Sequence, residues 1–290
     1  MKKKYAFVIA LISLLTVCLS SCDLFHPGTP VPGYIHIDKI NVTTDYPTQG
    51  SNSSKISDAW VYVDDQLIGC FELPATFPVI AEGVHEVKVK PGIKVNGISA
   101  NRSPYPFYTI YSQQIDFEPG KIITLTPTVT YTSTSHFELL EDFEQAGTHL
   151  DSTIHSNSNI DTIGFPASNV FEGNAAGIIT TTPLRPFVEV ATIYPRYVLP
   201  KANAPIFLEF NYRCNYEFTL SIYAWGSTTV SQFTVLHLHP NPEWNKIYCY
   251  LSPNVSAANS AVDYQIALGM LNATGADSTY VLLDNIKLVH

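Results

Sequence analysis

Phe218-Thr219-Leu220-Ser221-Ile222-Tyr223-Ala224-Trp225 alternates without a break. Successive side chains of a strand point to opposite faces, so Phe218, Leu220, Ile222 and Ala224 share one apolar face. The other face carries Glu217, Thr219, Ser221, Tyr223 and Trp225. This is a strand buried on one side. Further strands flank it at regular intervals: Phe207 to Tyr212 before it, then Phe233 to His239, Lys246 to Leu251, Tyr264 to Leu271 and Tyr280 to Val289. Turn residues separate them and no helical period of useful length appears, which predicts an antiparallel sandwich over 136–290.

The preceding segment, 33–135, reads as a smaller β unit. Ile35 to Ile40 alternates. Ala59-Trp60-Val61-Tyr62-Val63 runs into Asp64-Asp65 and then Gln66-Leu67-Ile68-Gly69, a hairpin with an acidic turn. Val84 to Lys90 alternates and stops at Pro91-Gly92, and Ile122 to Val129 closes the unit. Phe137 to Glu144 is the one short helix-compatible stretch, although Asp142-Phe143-Glu144 also suits a strand start. Charged residues make up only 14% of the chain, while Thr, Ser, Asn, Tyr and Val abound, a mixture for strands and polar turns. The expected fold class is all-β: two β-sandwich domains in series.

Val61-Tyr62-Val63-Asp64-Asp65-Gln66-Leu67-Ile68-Gly69, then Pro74, then Gly83-Val84-His85-Glu86-Val87-Lys88-Val89 resembles the PEGA-type surface domain, a small β-sandwich of bacterial envelope proteins. Asp65 departs from that pattern, which has glycine in the turn; Asp tolerates the geometry. The second segment resembles the galactose-binding-like jelly roll used by many carbohydrate-binding modules. The marks are Asp142-Phe143-Glu144, Glu172-Gly173-Asn174-Ala175-Ala176-Gly177, Trp244-Asn245-Lys246-Ile247-Tyr248 and the ending Val281-Leu282-Leu283-Asp284-Asn285-Ile286-Lys287-Leu288.

That second resemblance implies a structural Ca2+ ion joining the first strand, the early Gly-rich loop and the last strand. Its positions here are Glu144, Glu172, Asn174 and Asp284. Hard cations take several oxygen ligands, and these residues supply part of such a shell. The alternative is that Asp284 and Asn285 only shape a turn.

Sugar binding calls for flat aromatic faces and a few orienting polar groups. Tyr223 and Trp225, two apart on the outward strand face, form a candidate platform, with Arg196, Tyr197 and Arg213 as hydrogen-bonding neighbours. The alternative is that the two aromatics pack in a second layer. His237 and His239 share a strand face, a spacing that can hold zinc or copper if further ligands converge; the alternative is two solvated histidines at a strand end before Pro240. The stretch from Asn96 to Tyr108, with two prolines, three aromatics and Arg102, reads either as a rigid partner surface or as a loop closing the first sandwich. No nucleophile elbow, zinc-protease motif or phosphate loop occurs.

Lys2-Lys3-Lys4, an apolar run from Tyr5 to Leu19, and Leu19-Ser20-Ser21-Cys22 form an export signal, 1–21, too short and wrongly flanked for a lasting span. The ending resembles the bacterial lipobox, which implies cleavage before Cys22, lipidation (palmitate) at Cys22, and a Pro-rich tether, 22–32. The Ser-Cys-Asp start resembles lipoproteins of the Bacteroidetes, for which outer-membrane anchoring is expected, with the periplasmic and surface faces both open. Loss of Lys2–Lys4 leaves 13 basic against 25 acidic residues, net −12. That charge disfavours nucleic acid and leaves membrane attachment to the lipid. Of the remaining cysteines, Cys70, Cys214 and Cys249, the odd count leaves at least one unpaired, and the favoured reading is three small buried hydrophobes.

The resulting expectation is a lipid-anchored envelope protein that is not an enzyme and that recognises a glycan through the second domain. Two other classes stand beside it. A structural or assembly lipoprotein contacting envelope proteins predicts Tyr223 and Trp225 buried and Tyr105 to Tyr108 exposed. A polysaccharide-cleaving enzyme predicts two carboxylates about 5–10 Å apart in a cleft.

Overall fold

The computed structural model describes residues 30–290; the export segment, Cys22 and the tether up to residue 29 lie outside the described residues. The first ten strands are β1 (Gly33–Ile37), β2 (Asn41–Val42), β3 (Asp58–Val63), β4 (Gln66–Glu72), β5 (Ala75–Val79), β6 (Gly83–Lys94), β7 (Arg102–Pro104), β8 (Tyr111–Phe117), β9 (Ile122–Leu125) and β10 (Thr128–Val129). They form the sheets β5-β1-β9 and β10-β2, and a third, β4-β3-β6, in which both β7 and β8 pair with β6. The expected closing strand is divided into β9 and β10 around Pro127, which lacks an N–H for a ladder.

The β3–β4 hairpin follows from its turn residues. Asp64 and Asp65 have φ of 46° and 62°, the doubly left-handed geometry that suits a two-residue hairpin and that Asp tolerates. Asp64 also accepts from Glu86 N at 3.0 Å and contacts His85 Nδ1 at 2.6 Å, and Lys88 donates to Asp65 at 2.7 Å, so the turn is tied to β6.

The remaining strands are β11 (Phe137–Glu141), β12 (Leu150–Ser152), β13 (Ile160–Ile163), β14 (Ala176–Thr181), β15 (Phe187–Thr192), β16 (Phe207–Cys214), β17 (Phe218–Trp225), β18 (Val230–Leu238), β19 (Asn241–Tyr250), β20 (Asp263–Leu271) and β21 (Thr279–Val289). They build two antiparallel sheets, β13-β14-β21-β16-β19 (with β11 also on β21) and β12-β15-β20-β17-β18. The inward face of β17 is the expected one: Phe218, Leu220, Ile222 and Ala224 are buried, with Leu208, Phe210, Ile266, Leu268, Leu283 and Ile286 in the same core. Two helices absent from the sequence reading, α1 (Tyr46–Gln49) and α2 (Ser252–Ala257), are four and six residues long, too short to show a period, and each carries Pro in its first turn.

β21 is buried almost throughout because both its faces are covered. One packs into the sandwich. The other, with its neighbours Phe207, Glu209 and Tyr248, lies under the first domain, whose core includes Phe207, Tyr248 and Val289. There Glu209 accepts from Tyr105 OH at 2.6 Å and Tyr131 OH at 2.8 Å and lies 3.3 Å from Lys246 Nζ. Lys287 Nζ donates to Ser51 O at 2.5 Å. Tyr105, Phe107 and Tyr108 are all buried, and Tyr105 packs edge-on to Phe207 at 5.2 Å. The aromatic loop therefore docks on this chain's own second domain. Cys214 and Cys249 are buried free thiols; Cys70 is exposed, because β4 is an edge strand with a half-open face.

Candidate functional site

The outer face of β12-β15-β20-β17-β18 carries a groove of 610 Å3, lined among others by Asp151, Thr153, Tyr194, Tyr223, Trp225, Gln232 and Gln265. That volume is in the range of small-ligand sites. Strand register explains its shape. Trp225 lies opposite Val230 and Asp263, and Tyr223 opposite Gln232 and Gln265. The next row is small: Ser221 opposite Ala267, which lies opposite Ala191. Beyond it Gly269 faces Glu189. Tall side chains on one flank and short ones in the middle make a trough.

Buried Glu189 organises the floor. Its carboxylate accepts from Tyr223 OH at 2.6 Å, Gln232 Nε2 at 2.7 Å and Thr153 Oγ1 at 3.0 Å. Burial first, and then the hydrogen bond to Glu189 and its charge, push the Tyr223 phenol far above its ordinary range, so it stays protonated and donates. Trp225 is half-buried; the Arg196 guanidinium lies 3.8 Å from its ring centroid and donates to Asp263 at 3.1 Å. Such a stack fixes the indole plane. Gln265 Nε2 donates to Thr192 O at 2.5 Å. Ile154 and Tyr194 stand exposed on the rim.

Three of the five residues expected to bind ligand thus come together: Tyr223, Trp225 and Arg196. Tyr197 does not join them. It is 8% exposed and packs in the sandwich core, its phenol pushed up to about 12 chiefly by burial. Its position next to Arg196 turns it to the opposite side. Arg213 sits on β16, in the other sheet, donating to Ser168 O at 2.6 Å and Asn169 Oδ1 at 2.5 Å beside Trp244. Glu189, Gln232, Gln265 and Asp263 were not singled out from sequence. Glu189 had a signal, as a lone acid inside the apolar run Phe187-Val188-Glu189-Val190-Ala191.

The four positions expected to hold calcium converge on the 171–175 loop as hydrogen-bond acceptors and donors. Glu144 accepts from Asn174 N at 2.7 Å and Ala175 N at 2.9 Å, and Asn174 Nδ2 reaches it at 3.1 Å. Burial opposes ionisation, yet these donors hold Glu144 below the usual carboxylate range. Asp284 accepts from Phe171 N and Glu172 N at 3.2 and 3.1 Å. Glu172 accepts from Ser51 Oγ and, at 3.1 Å, from Asn285 Nδ2. Asn285 has φ 49° at a β21 bulge that turns Asp284 toward the loop. These carboxylates tie the loop to β21 and to the start of the domain, and among the described residues no group of three or more His, Cys, Asp or Glu side chains is arranged to hold a metal ion. His237 contacts Thr219 Oγ1 at 3.3 Å.

No family model matches the chain, and no curated protein matches it. Among solved structures it is similar to the family 11 carbohydrate-binding module of the cellulosomal cellulase Lic26A-Cel5E of Clostridium thermocellum, at 15% identity and TM-score 0.38 over 54% of this chain and 95% of that one. The C-terminal family 22 carbohydrate-binding module of Clostridium thermocellum Xyn10B gives 11% identity and TM-score 0.37 over 52% and 91%. The K2 cleaved adhesin domain of Lys-gingipain gives 12% and 0.37 over 54% and 98%.

Proposed function

We propose that this chain is a non-catalytic glycan-binding protein of the cell envelope, tethered to the outer membrane by lipid on Cys22, and that a polysaccharide lies in the groove beside Trp225. The observation that carries this reading is the fixed Trp225–Arg196 stack at 3.8 Å, set in an open trough with the amides of Gln232 and Gln265. A sugar ring offers an apolar face to an aromatic and hydroxyls to amides and carboxylates, and this trough supplies both. Asp151 lines it, and Glu189 and Asp263 stand directly behind its lining, held by Tyr223 and Arg196, so neutral chains fit better than acidic ones.

Binding accounts for the carboxylates better than hydrolysis does. Glu189 is held by three side-chain donors and Asp263 by Arg196, while Asp151 accepts from Asn159 Nδ2 at 2.7 Å. Each acid has a hydrogen-bonding partner in the wall, a bracing role that fits a rigid binding surface. The assembly alternative predicted Tyr105 to Tyr108 exposed, and those aromatics are buried against the second domain. The test is a screen of soluble residues 23–290, without the lipidated cysteine, on neutral and acidic polysaccharides. Retention by a neutral class, lost in Trp225→Ala, supports the reading; no retention by any class refutes it.

A further inference from the structure

A second cavity, of 280 Å3, lies between the two domains. Lys55, Lys94 and Asn96 of the first domain line it together with Lys246 and the 236–240 segment of the second. Its wall holds three lysines and no aspartate or glutamate, in a chain of 25 acidic and 16 basic residues. Positive charge gathered there works against the average of the surface.

The lysines are incompletely neutralised. The Lys246 side chain is 3% exposed and lies 3.3 Å from Glu209 Oε2, but its ammonium has no aligned hydrogen-bond acceptor. An ammonium carries three donors, and burying them without acceptors is costly. Lys55 donates only to the neutral amide of Asn245, and burial, then the charge of Lys94, hold it below the ordinary lysine range. Lys94 pairs at 3.1 Å with Glu72, a carboxylate outside the cavity that Arg102 shares.

We infer that this interdomain cavity binds a small anionic group, a carboxylate, sulfate or phosphate, between Lys55 and Lys94, with the buried Lys246 adding its charge from behind the wall. The size is at the lower end for ligand sites and admits a single sugar acid or a free oxyanion. The site is independent of the groove, which lies on the outer face of the other sheet. Both domains supply lysines, so an occupied cavity strengthens their docking.

The test is thermal unfolding of residues 23–290 at constant ionic strength, with chloride replaced stepwise by glucuronate, sulfate or phosphate and with glucose as the neutral control. The expected result is a saturable rise in Tm with at least one anion and none with glucose. Lys55→Ala and Lys94→Ala, both at part-exposed positions, should abolish the saturable part. Saturation by glucuronate alone assigns an acidic saccharide; saturation by inorganic anions alone assigns a free oxyanion. A rise that never saturates, or one equal in wild type and both lysine variants, overturns the inference. Should a variant fail to fold, isothermal titration of wild type with the same anions decides: no heat beyond the glucose control overturns it.

Discussion

The Tyr223 hydroxyl donates to Glu189 Oε1 at 2.6 Å from two strands away. β20 runs between them and, past Gln265 opposite Tyr223, presents only the small residues Ala267 and Gly269 along the path to Glu189. Neighbouring strands are about 4.8 Å apart, so the bond spans nearly 10 Å of sheet. The small residues leave room for it, and it stiffens the trough.

Removing that donor should loosen the floor. Tyr223→Phe leaves a buried carboxylate short of one partner, a loss of about 1–3 kcal/mol. Urea unfolding would show it as a lower midpoint at unchanged m-value. A midpoint equal to wild type would mean that the bond contributes nothing net.

Steric demands differ sharply between two glycines. A Cβ on Gly177 would stand 2.5 Å from the Phe143 ring, while one on Gly269 would meet Glu189 Cγ at 3.7 Å, an ordinary contact. Gly177→Ala should cost about 1–3 kcal/mol by overpacking, and Gly269→Ala should stay within about 0.5 kcal/mol of wild type. Calorimetry of the two variants side by side checks the order; equal effects would contradict the packing described.

The interdomain network should behave as one unit with the cores. Glu209→Gln leaves the buried Lys246 ammonium unpaired, and breaking a buried pair from one side costs about 3–5 kcal/mol. Because Phe207, Tyr248 and Val289 belong to the first domain's core, a single unfolding transition is expected for wild type. Two well-separated calorimetric transitions would show that the domains are not energetically joined.

Stability should pass through a pH minimum as far as two buried groups decide it. Burial pushes the Asp284 carboxyl up to about 7, against the pull of its backbone N–H donors. Its folded pKa exceeds the unfolded value of about 3.9, so its contribution is full below about pH 4 and is lost as pH rises to 7. Burial pulls the Lys287 ammonium down to about 7, against the charge of Glu209. Its folded pKa lies below the unfolded value of about 10.4, so its contribution grows as pH rises above 7. Lys287→Met should flatten the alkaline limb of a urea-midpoint profile and leave the acid limb; an unchanged alkaline limb would contradict the assignment.

Legibility from sequence followed periodicity. β17 was readable because one face is buried and the other is not, and that alternation also picked Tyr223 and Trp225. β21 was recognised by its Asp284-Asn285 ending, yet its period was blurred because both faces are covered. The Asp64-Asp65 turn was readable from local chemistry. Partners brought together by register between distant strands were not: Glu189 meets Tyr223 across 34 positions and Glu209 meets Tyr105 across 104. Neighbours in sequence misled for the same reason, since Arg196 and Tyr197 point to opposite sides. The aromatic loop could be read as a docking surface, but its partner, the outer face of β16-β19-β21, is visible only once the sheet is built.

The most direct test of the glycan reading is titration calorimetry of residues 23–290 with the neutral polysaccharide retained in the screen, comparing wild type, Trp225→Ala and Trp244→Ala. Trp244 lies beside Arg213 on the other sheet and serves as the internal control. The account predicts that Trp225→Ala removes binding and that Trp244→Ala keeps it. Binding that survives Trp225→Ala, or that fails only in Trp244→Ala, would contradict it and move the site off the groove.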